Sequence, residues 1–406
     1  MNQTDSVIAK IVRVNAGRDP ERLRMKYAKM ASSPFVFLRG ACHLFYDALP
    51  DVPALRQAPP AWCCGDLHFE NFGSYKGDNR QVYFDINDYD EAALAPCTWD
   101  IVRLLVSIRS GAEALRASAA EAEQVGRVCV SRYRDDLLRG KPMWVERETS
   151  SGLVNKLLES LRYQERAAFL DRRTIRKGHR RELNTDGVKA LSASAEQRDK
   201  VTAFMAAYAA SQKNPDFFRV LDVARRIAGT GSLGVERYVV LVEGKGAPDG
   251  CYLIDLKEAK PSALIPHLTA MGMDQPVWES QAERVVTIQK RMQAVDHAFL
   301  EAVELDGASC ILKGLQPSED RVDIAAWGHK LERLEDVVGL MGSILAWDQL
   351  RAAGRGGAAC ADELADFAAG GNWENTLFEV AGEMTELTRN QWQAFTAARQ
   401  AGLLET

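Results

Sequence analysis

Asp66, Asn71 and Asp85 carry the clearest chemical pattern in the chain. An acid stands five positions before an amide in Gly65-Asp66-Leu67-His68-Phe69-Glu70-Asn71, and a strand-like run at 81–84 leads directly into Asp85, Asp88, Asp90 and Glu91. Loops beyond strand ends let a rigid scaffold hold polar side chains at fixed separations without burying backbone groups. Phosphoryl transfer from a nucleotide asks for one carboxylate that accepts or orients the proton of the attacking hydroxyl. It also asks for an amide oxygen and a further carboxylate to hold Mg²⁺ against the phosphates. Hard oxygen donors suit Mg²⁺, and no His/Cys cluster competes for zinc. An acidic turn is the plainer explanation of either loop alone, since Asn and Asp are common turn residues. Two such loops joined by a short hairpin favour a site.

A second group lies far downstream. Gly229, Gly231 and Gly234 form GTGSLG between two predicted strands, and Lys257 ends the strand CYLIDLK. Glycines let backbone N–H groups close over phosphates, and a lysine on a following strand can neutralise them. No helix follows the glycines, which argues against a dinucleotide site, while a hairpin with a glycine turn is the simpler alternative. Lys260 competes for the lysine role. A helix predicted over 279–300 offers Glu283, or Glu279, as the acid that pairs with the lysine, although a charged helix face explains both equally well. Arg39 sits in an otherwise apolar segment and needs a buried carboxylate or phosphate partner.

These residues must be positioned by elements drawn from the whole chain. Its 406 residues, 46 % apolar, suffice for two or three domains with sizeable cores. The net charge of −5 argues against a general nucleic-acid surface. No early apolar run resembles a signal peptide and no stretch approaches a membrane span, so a cytoplasmic protein is expected. Eight cysteines without CxxC spacing read as reduced, buried thiols. Helical spacing covers 20–48 with a break at Ser32-Ser33-Pro34, then 113–138, 151–168 and a strongly apolar stretch at 336–350. Asp100 can cap the helix it opens or brace the Asp66 loop from behind. The basic run at 172–181 reads as a solvated face, with recruitment of an anion as the alternative. From Phe217 the texture becomes β-rich, and a hinge is expected at Gln316-Pro317.

Protein kinases and aminoglycoside phosphotransferases run glycine loop, lysine strand, acid helix, hinge, long helix, catalytic loop, metal Asp. Here the catalytic-type loop comes first, and a circular permutation would reconcile the orders, because termini are surface-exposed and often close together. The segments KMASSPFVFLRG, CCGDLHFENFG, FDINDYDEA, WDIVRLL, LKEAKPS, ERVV and LQPSED together closely resemble the bacterial family called domain of unknown function 2252, which is similar to kinase-like and aminoglycoside-phosphotransferase folds. The resemblance covers roughly residues 20–350. It implies Asp66 as catalytic base, Asn71 and Asp85 as Mg²⁺ ligands, Asp88 as a second ligand, Lys257 on the nucleotide phosphates, and His68 shaping the loop. The run Asp85-Ile86-Asn87-Asp88 leaves open which Asp binds. Trp347-Asp348-Gln349 replaces the Ala-His-Ala-Arg run many relatives carry, which leaves that helix's contribution open.

The expectation is an α+β, two-lobed, circularly permuted kinase-like fold. Residues 1–216 would form a larger helical lobe, 217–325 a β-rich nucleotide lobe, and 326–406 helices that complete the first. ATP and Mg²⁺ would serve transfer of the γ-phosphoryl group to a hydroxyl. Nucleotidyl transfer to a protein and a catalytically silent nucleotide-binding module are the alternatives, and neither a membrane nor a nucleic acid is an expected partner. The acceptor is open: an acidic mouth at 85–91 suits a cationic one, the basic run an anionic one.

Overall fold

Helix starts near the Asp66 loop are set by caps that the sequence supplies. A computed structural model describes residues 3–315 and 320–404, so the hinge expected at Gln316-Pro317 lies outside the described residues. After α1 (Gln3–Val14), the Asp19 side chain accepts from the Arg22 amide at 2.9 Å and Pro20 fills the first position of α2 (Pro20–Met30). Ser33 accepts from the Val36 amide and Pro34 opens α3 (Pro34–Gly40) in the same way. Its axis breaks at Ala41 before α4 (Cys42–Ala48) and the short α5 (Pro53–Arg56).

The candidate loops lie on two small antiparallel pairings. Strand β1 (Pro60–Cys63) runs into the Asp66 loop. The hairpin of β2 (Phe72–Lys76) and β3 (Val82–Ile86) follows, with Gly73 opposite Asp85. Strand β4 (Ala93–Pro96) returns to pair with β1, Cys63 opposite Ala93, so the acidic run is pinned between two strand ends.

Behind them stand α6 (Thr98–Ser110) and α7 (Ala119–Arg139). The latter starts later than the helical pattern from 113 suggests, because a Ser118/Glu121 capping box fixes its first turn. Strand β5 (Val145–Glu146) adds to β3, and the helix expected over 151–168 divides into α8 (Gly152–Arg162) and α9 (Arg166–Asp171). The basic run becomes a hairpin, β6 (Thr174–Lys177) and β7 (Arg180–Leu183), turning at Gly178 with φ +62°.

A six-stranded antiparallel sheet comes next, ordered β12-β13-β11-β10-β9-β8. It takes in β8 (Ala190–Ser192) and α10 (Ala195–Ala210), upstream of the change of texture at Phe217. Strands β9 (Val220–Arg226), β10 (Arg237–Val242) and β11 (Tyr252–Glu258) form its centre, with Arg237 opposite Lys257. After α11 (Ile265–Ala270), α12 (Gln281–Met292) ends well before the predicted limit of 300, and β12 (Glu301–Leu305) and β13 (Ala308–Leu315) close the sheet. Alternation sorts β10: Tyr238, Val240 and Val242 pack with Val201 and Met205 of α10, while Val239 and Leu241 join Phe169 and Leu183 on the other face.

Helices α13 (Leu331–Ala352), α14 (Ala361–Ala369) and α15 (Trp373–Gln400) return to the first half of the chain. Met341 and Leu345 of α13 share one core with Ile101 and Leu104 of α6, Val125 and Cys129 of α7, and Leu377 of α15. Val285, Ile288 and Met292 of α12 enter the same core beside Ile311 of β13 and tie the sheet to it. The chain is thus mixed α+β with several small sheets. Among the described residues no helix is long and apolar enough to cross a membrane.

Candidate active site

Asp66 is placed from three sides. Behind its loop, the Asp100 carboxylate accepts from the Cys64 amide at 2.7 Å and the Gly65 amide at 2.9 Å. Asp100 therefore braces the loop instead of capping α6. Gly65 adopts φ +88°, and a Cβ there would lie 2.3 Å from the Glu91 carbonyl, so only glycine permits the acidic run to pass this close. Beneath it, the fully buried Arg103 of α6 donates through Nε to Asp66 Oδ1 at 2.8 Å, with a second bond from Nη2 to the same oxygen. Burial pushes the Asp66 carboxyl above its usual value, and Arg103 opposes that shift.

With Oδ1 held by Arg103, Oδ2 faces the glycine loop. A Cβ on Gly231 would stand 3.8 Å from Asp66 Oδ2 and 3.2 Å from the Arg39 carbonyl. Residues far apart in the sequence therefore meet across one cleft of about 900 Å³. Asp66, Asn71, Asp88, Gly229, Gly231, Gly234 and Lys257 all line it. The glycine turns come from φ +66° at Gly229 and +87° at Gly234. Among the described residues, none of the amides at 229–234 donates to a protein acceptor. The carbonyls are engaged instead: Lys26 Nζ and Arg18 Nη1 each donate to Gly231 O at 2.7 Å, and Arg18 also reaches Leu233 O at 2.8 Å. Burial and then the Arg18 charge hold the Lys26 ammonium well below its usual value.

Two of the residues singled out from the sequence stand elsewhere. Asp85 turns away from the cleft toward α13, where it neighbours Asp348 and Arg351. Its Oδ1 accepts from the Ile86 amide at 2.8 Å, and burial raises its carboxyl to about 6 against the Arg351 charge. Asp85 belongs to β3, whereas Asp88 lies beyond the end of that strand, in the connection that borders the cleft. Glu283 stands in the first turn of α12, which Ser280 caps, and its side chain turns back to accept from the Glu279 amide at 2.5 Å. The acid paired with Lys257 is Asp90, and the pair is mostly buried. Burial pushes Asp90 up, but the Lys257 charge wins and holds it below its usual value.

The rest of the acidic mouth is also engaged. Glu91 accepts from the Ala263 amide at 2.5 Å, and burial lifts its carboxyl to about 7. Asp88 accepts one long bond, 3.4 Å from the Asp90 amide, and faces the cleft. Asn71 Oδ1 accepts from the His68 amide at 2.8 Å, which leaves a second lone pair. Among the described residues no set of three His, Cys, Asp or Glu side chains is gathered for a metal. Asn71 and Asp88 nevertheless fit Mg²⁺, which is usually bound through one or two carboxylates plus substrate phosphates.

Arg39 bridges loop and rim. Its Nε donates to His68 Nε2 at 3.1 Å and its Nη1 to Glu70 Oε2 at 2.6 Å. Burial and then Arg39 hold the His68 imidazole well below its usual value, so it stays neutral. Helix α13 contributes from behind: Tyr89 donates to Asp348 at 3.2 Å, and Gln349 donates to the Cys97 carbonyl at 3.0 Å. The basic run is absent from the cleft lining; its buried Arg181 binds Asp171 and Asp249, each at 2.6 Å. Arg103, Lys26 and Arg18 escaped the sequence reading. An arginine inside the apolar run of α6 carries the same signal that singled out Arg39, whereas the amphipathic pattern of α2 gives no hint that Lys26 faces inward.

A family model described as an uncharacterized protein conserved in bacteria, domain of unknown function 2252, matches residues 18–398. No curated protein and no solved structure matches the chain.

Proposed function

The chain belongs to the domain of unknown function 2252 family, and from that premise we propose that it is an ATP- and Mg²⁺-dependent phosphotransferase acting on a hydroxyl. The fold would be kinase-like and circularly permuted, with ATP between a β-rich lobe over 217–325 and a helical lobe built from 1–216 and 326–406. The observation that carries this reading is the approach of Gly231 to Asp66 Oδ2 in the cleft that also holds Lys257, Asn71 and Asp88.

The unpartnered amides at 229–234 receive phosphate oxygens, and Lys257 adds a positive charge beside them. Asp66 Oδ2 takes the proton of the acceptor hydroxyl as its oxygen bonds to the γ-phosphorus and the bond to the β–γ bridging oxygen breaks, releasing ADP. Arg103 keeps Oδ1 occupied, so the carboxylate presents one oxygen in a fixed direction. Mg²⁺ held by Asn71 and Asp88 would neutralise charge on the phosphates. Asp88 takes this role in place of Asp85, because Asp85 is turned toward α13.

Incubation of the protein and a cell extract with γ-labelled and, separately, α-labelled ATP tests the reading. Transfer of the γ label alone is expected. Transfer of the α label would replace it with nucleotidyl transfer, and retention of both labels on ATP would favour a silent module.

A further inference from the structure

The nature of the acceptor can be read from how charge is spent around the cleft. Of the four carboxylates at 85–91, Asp85 lies behind the cleft, Asp90 is paired with Lys257, and Glu91 is taken by the Ala263 amide. Asp88 alone of the four faces the cleft without a cation or a short hydrogen bond, and the Mg²⁺ site proposed above already uses it. The basic run at 172–181 is equally out of play, since it lies off the cleft.

Beside the main cleft is a second chamber of about 330 Å³, and Arg39, Gly229, Thr230 and Arg321 belong to the walls of both, so the two communicate. Lys29, Arg39 and Arg321 line this chamber, and among the described residues Glu70 is the one acid in its lining. Arg39 Nη1 and Arg321 Nη1 converge on the same oxygen, Glu70 Oε2, at 2.6 and 2.7 Å. Two guanidiniums on one carboxylate oxygen leave further N–H donors of each fork for another anion. Counted over the described residues, three cations stand against one acid, which favours an anion such as a phosphomonoester, carrying about −1.5 to −2 at neutral pH. Arg39 also ties the chamber to the chemistry. Its Nε holds His68 in the Asp66 loop, and its carbonyl lies 3.2 Å from the Cβ position of Gly231.

We propose that this chamber is the acceptor subsite, and that the acceptor is a small hydroxyl compound carrying a phosphomonoester, bound by Arg39, Arg321 and Lys29 so that its hydroxyl reaches Asp66. The inference rests on the phosphotransferase reading for the identity of the acceptor, but the anion site itself does not. A pocket near 330 Å³ is at the lower end of small-ligand sites and suits a molecule the size of a sugar phosphate.

Lys29 and Arg321 are exposed and replaceable without disturbing the core. The test measures dissociation constants of inorganic phosphate and of Mg–ATP, by calorimetry, in wild type and in a Lys29→Ala variant, because Lys29 lines the second chamber and not the main cleft, whereas Arg321 lines both. Phosphate binding is expected to weaken about tenfold or more, with Mg–ATP changing less than twofold. Unchanged phosphate affinity, or equal weakening of both ligands, overturns the subsite, the second by assigning the cluster to the nucleotide. Wild type that binds phosphate with this mutational pattern but never ATP supports the subsite while removing the phosphotransferase reading. If transfer occurs, glycerol 3-phosphate is expected to accept the γ label better than glycerol; the reverse preference overturns the acceptor assignment.

Discussion

Arg103 determines which oxygen of Asp66 is available, and neighbouring carboxylates differ as sharply in what their surroundings allow. Asp85 and Asp88 are three positions apart, yet only Asp88 lines the cleft. Asp88→Asn is expected to weaken Mg²⁺-dependent ATP binding tenfold or more, and Asp85→Asn to leave it nearly unchanged, as read from ATP titrations at several Mg²⁺ concentrations. The opposite ranking would restore Asp85 as the ligand. Asp100 offers a pH test. Burial raises its carboxyl from 3.8 to about 6. A carboxyl with a folded value above its unfolded one loses its proton first in the unfolded chain, so stability falls as pH rises from about 4 to 6 and is level above that. The shift corresponds to roughly 3 kcal/mol. Urea unfolding of wild type and Asp100→Asn between pH 4 and 7 is expected to show their stability difference moving against wild type by about that amount, with the change complete near pH 6. A difference independent of pH would contradict it. Of the residues the sequence singled out, Asp66, Asn71, the glycines and Lys257 line one cleft. Glu283 lies elsewhere, at the start of α12, and Lys257 pairs with Asp90, because an acid in a helix's first turn is also favoured by the exposed amides there.

At the scale of elements, two close approaches hold the loops in register. Helices α7 and α13 touch at Gly342, where a Cβ would come within 2.1 Å of the Cys129 carbonyl. Gly342→Ala must push the helices apart and is expected to cost about 1–3 kcal/mol, the usual range for overpacking, measured as a lower urea midpoint at unchanged slope. Because α13 also carries Asp348 and Gln349 against the loops, ATP affinity should fall with it. Gly231→Ala acts locally, placing a methyl 3.2 Å from the Arg39 carbonyl. Stability should change little while the KM for ATP or for the acceptor rises several-fold; an unchanged KM would show that the loop does not close on substrate. Strand alternation and cap residues made most of these elements legible. The split of 151–168 into two helices and the folding of the basic run into a hairpin were not, because both depend on what the sheet offers to pack against.

Across the whole molecule, the meeting of 66 with 231 is a tertiary fact that local pattern cannot supply. Asp66 arrives on a loop after β1, and Gly231 on the turn between β9 and β10, joined by α12 packing in the core shared with α13. The sequence implied the meeting only through the resemblance of its motifs, in a different order, to those of kinase-like folds. The cations that finish the cleft, Arg18 and Lys26, come from a third part of the chain and had no motif to announce them.

The most direct measurement is a calorimetric titration of Mg–ATP into wild type and Asp66→Asn, run beside release of the γ label. Equal one-to-one binding in both proteins is predicted, with turnover in the variant reduced by about 10²–10⁴-fold, the usual contribution of a general base. Wild type that takes up no ATP, or a variant that turns over as fast as wild type, would contradict it.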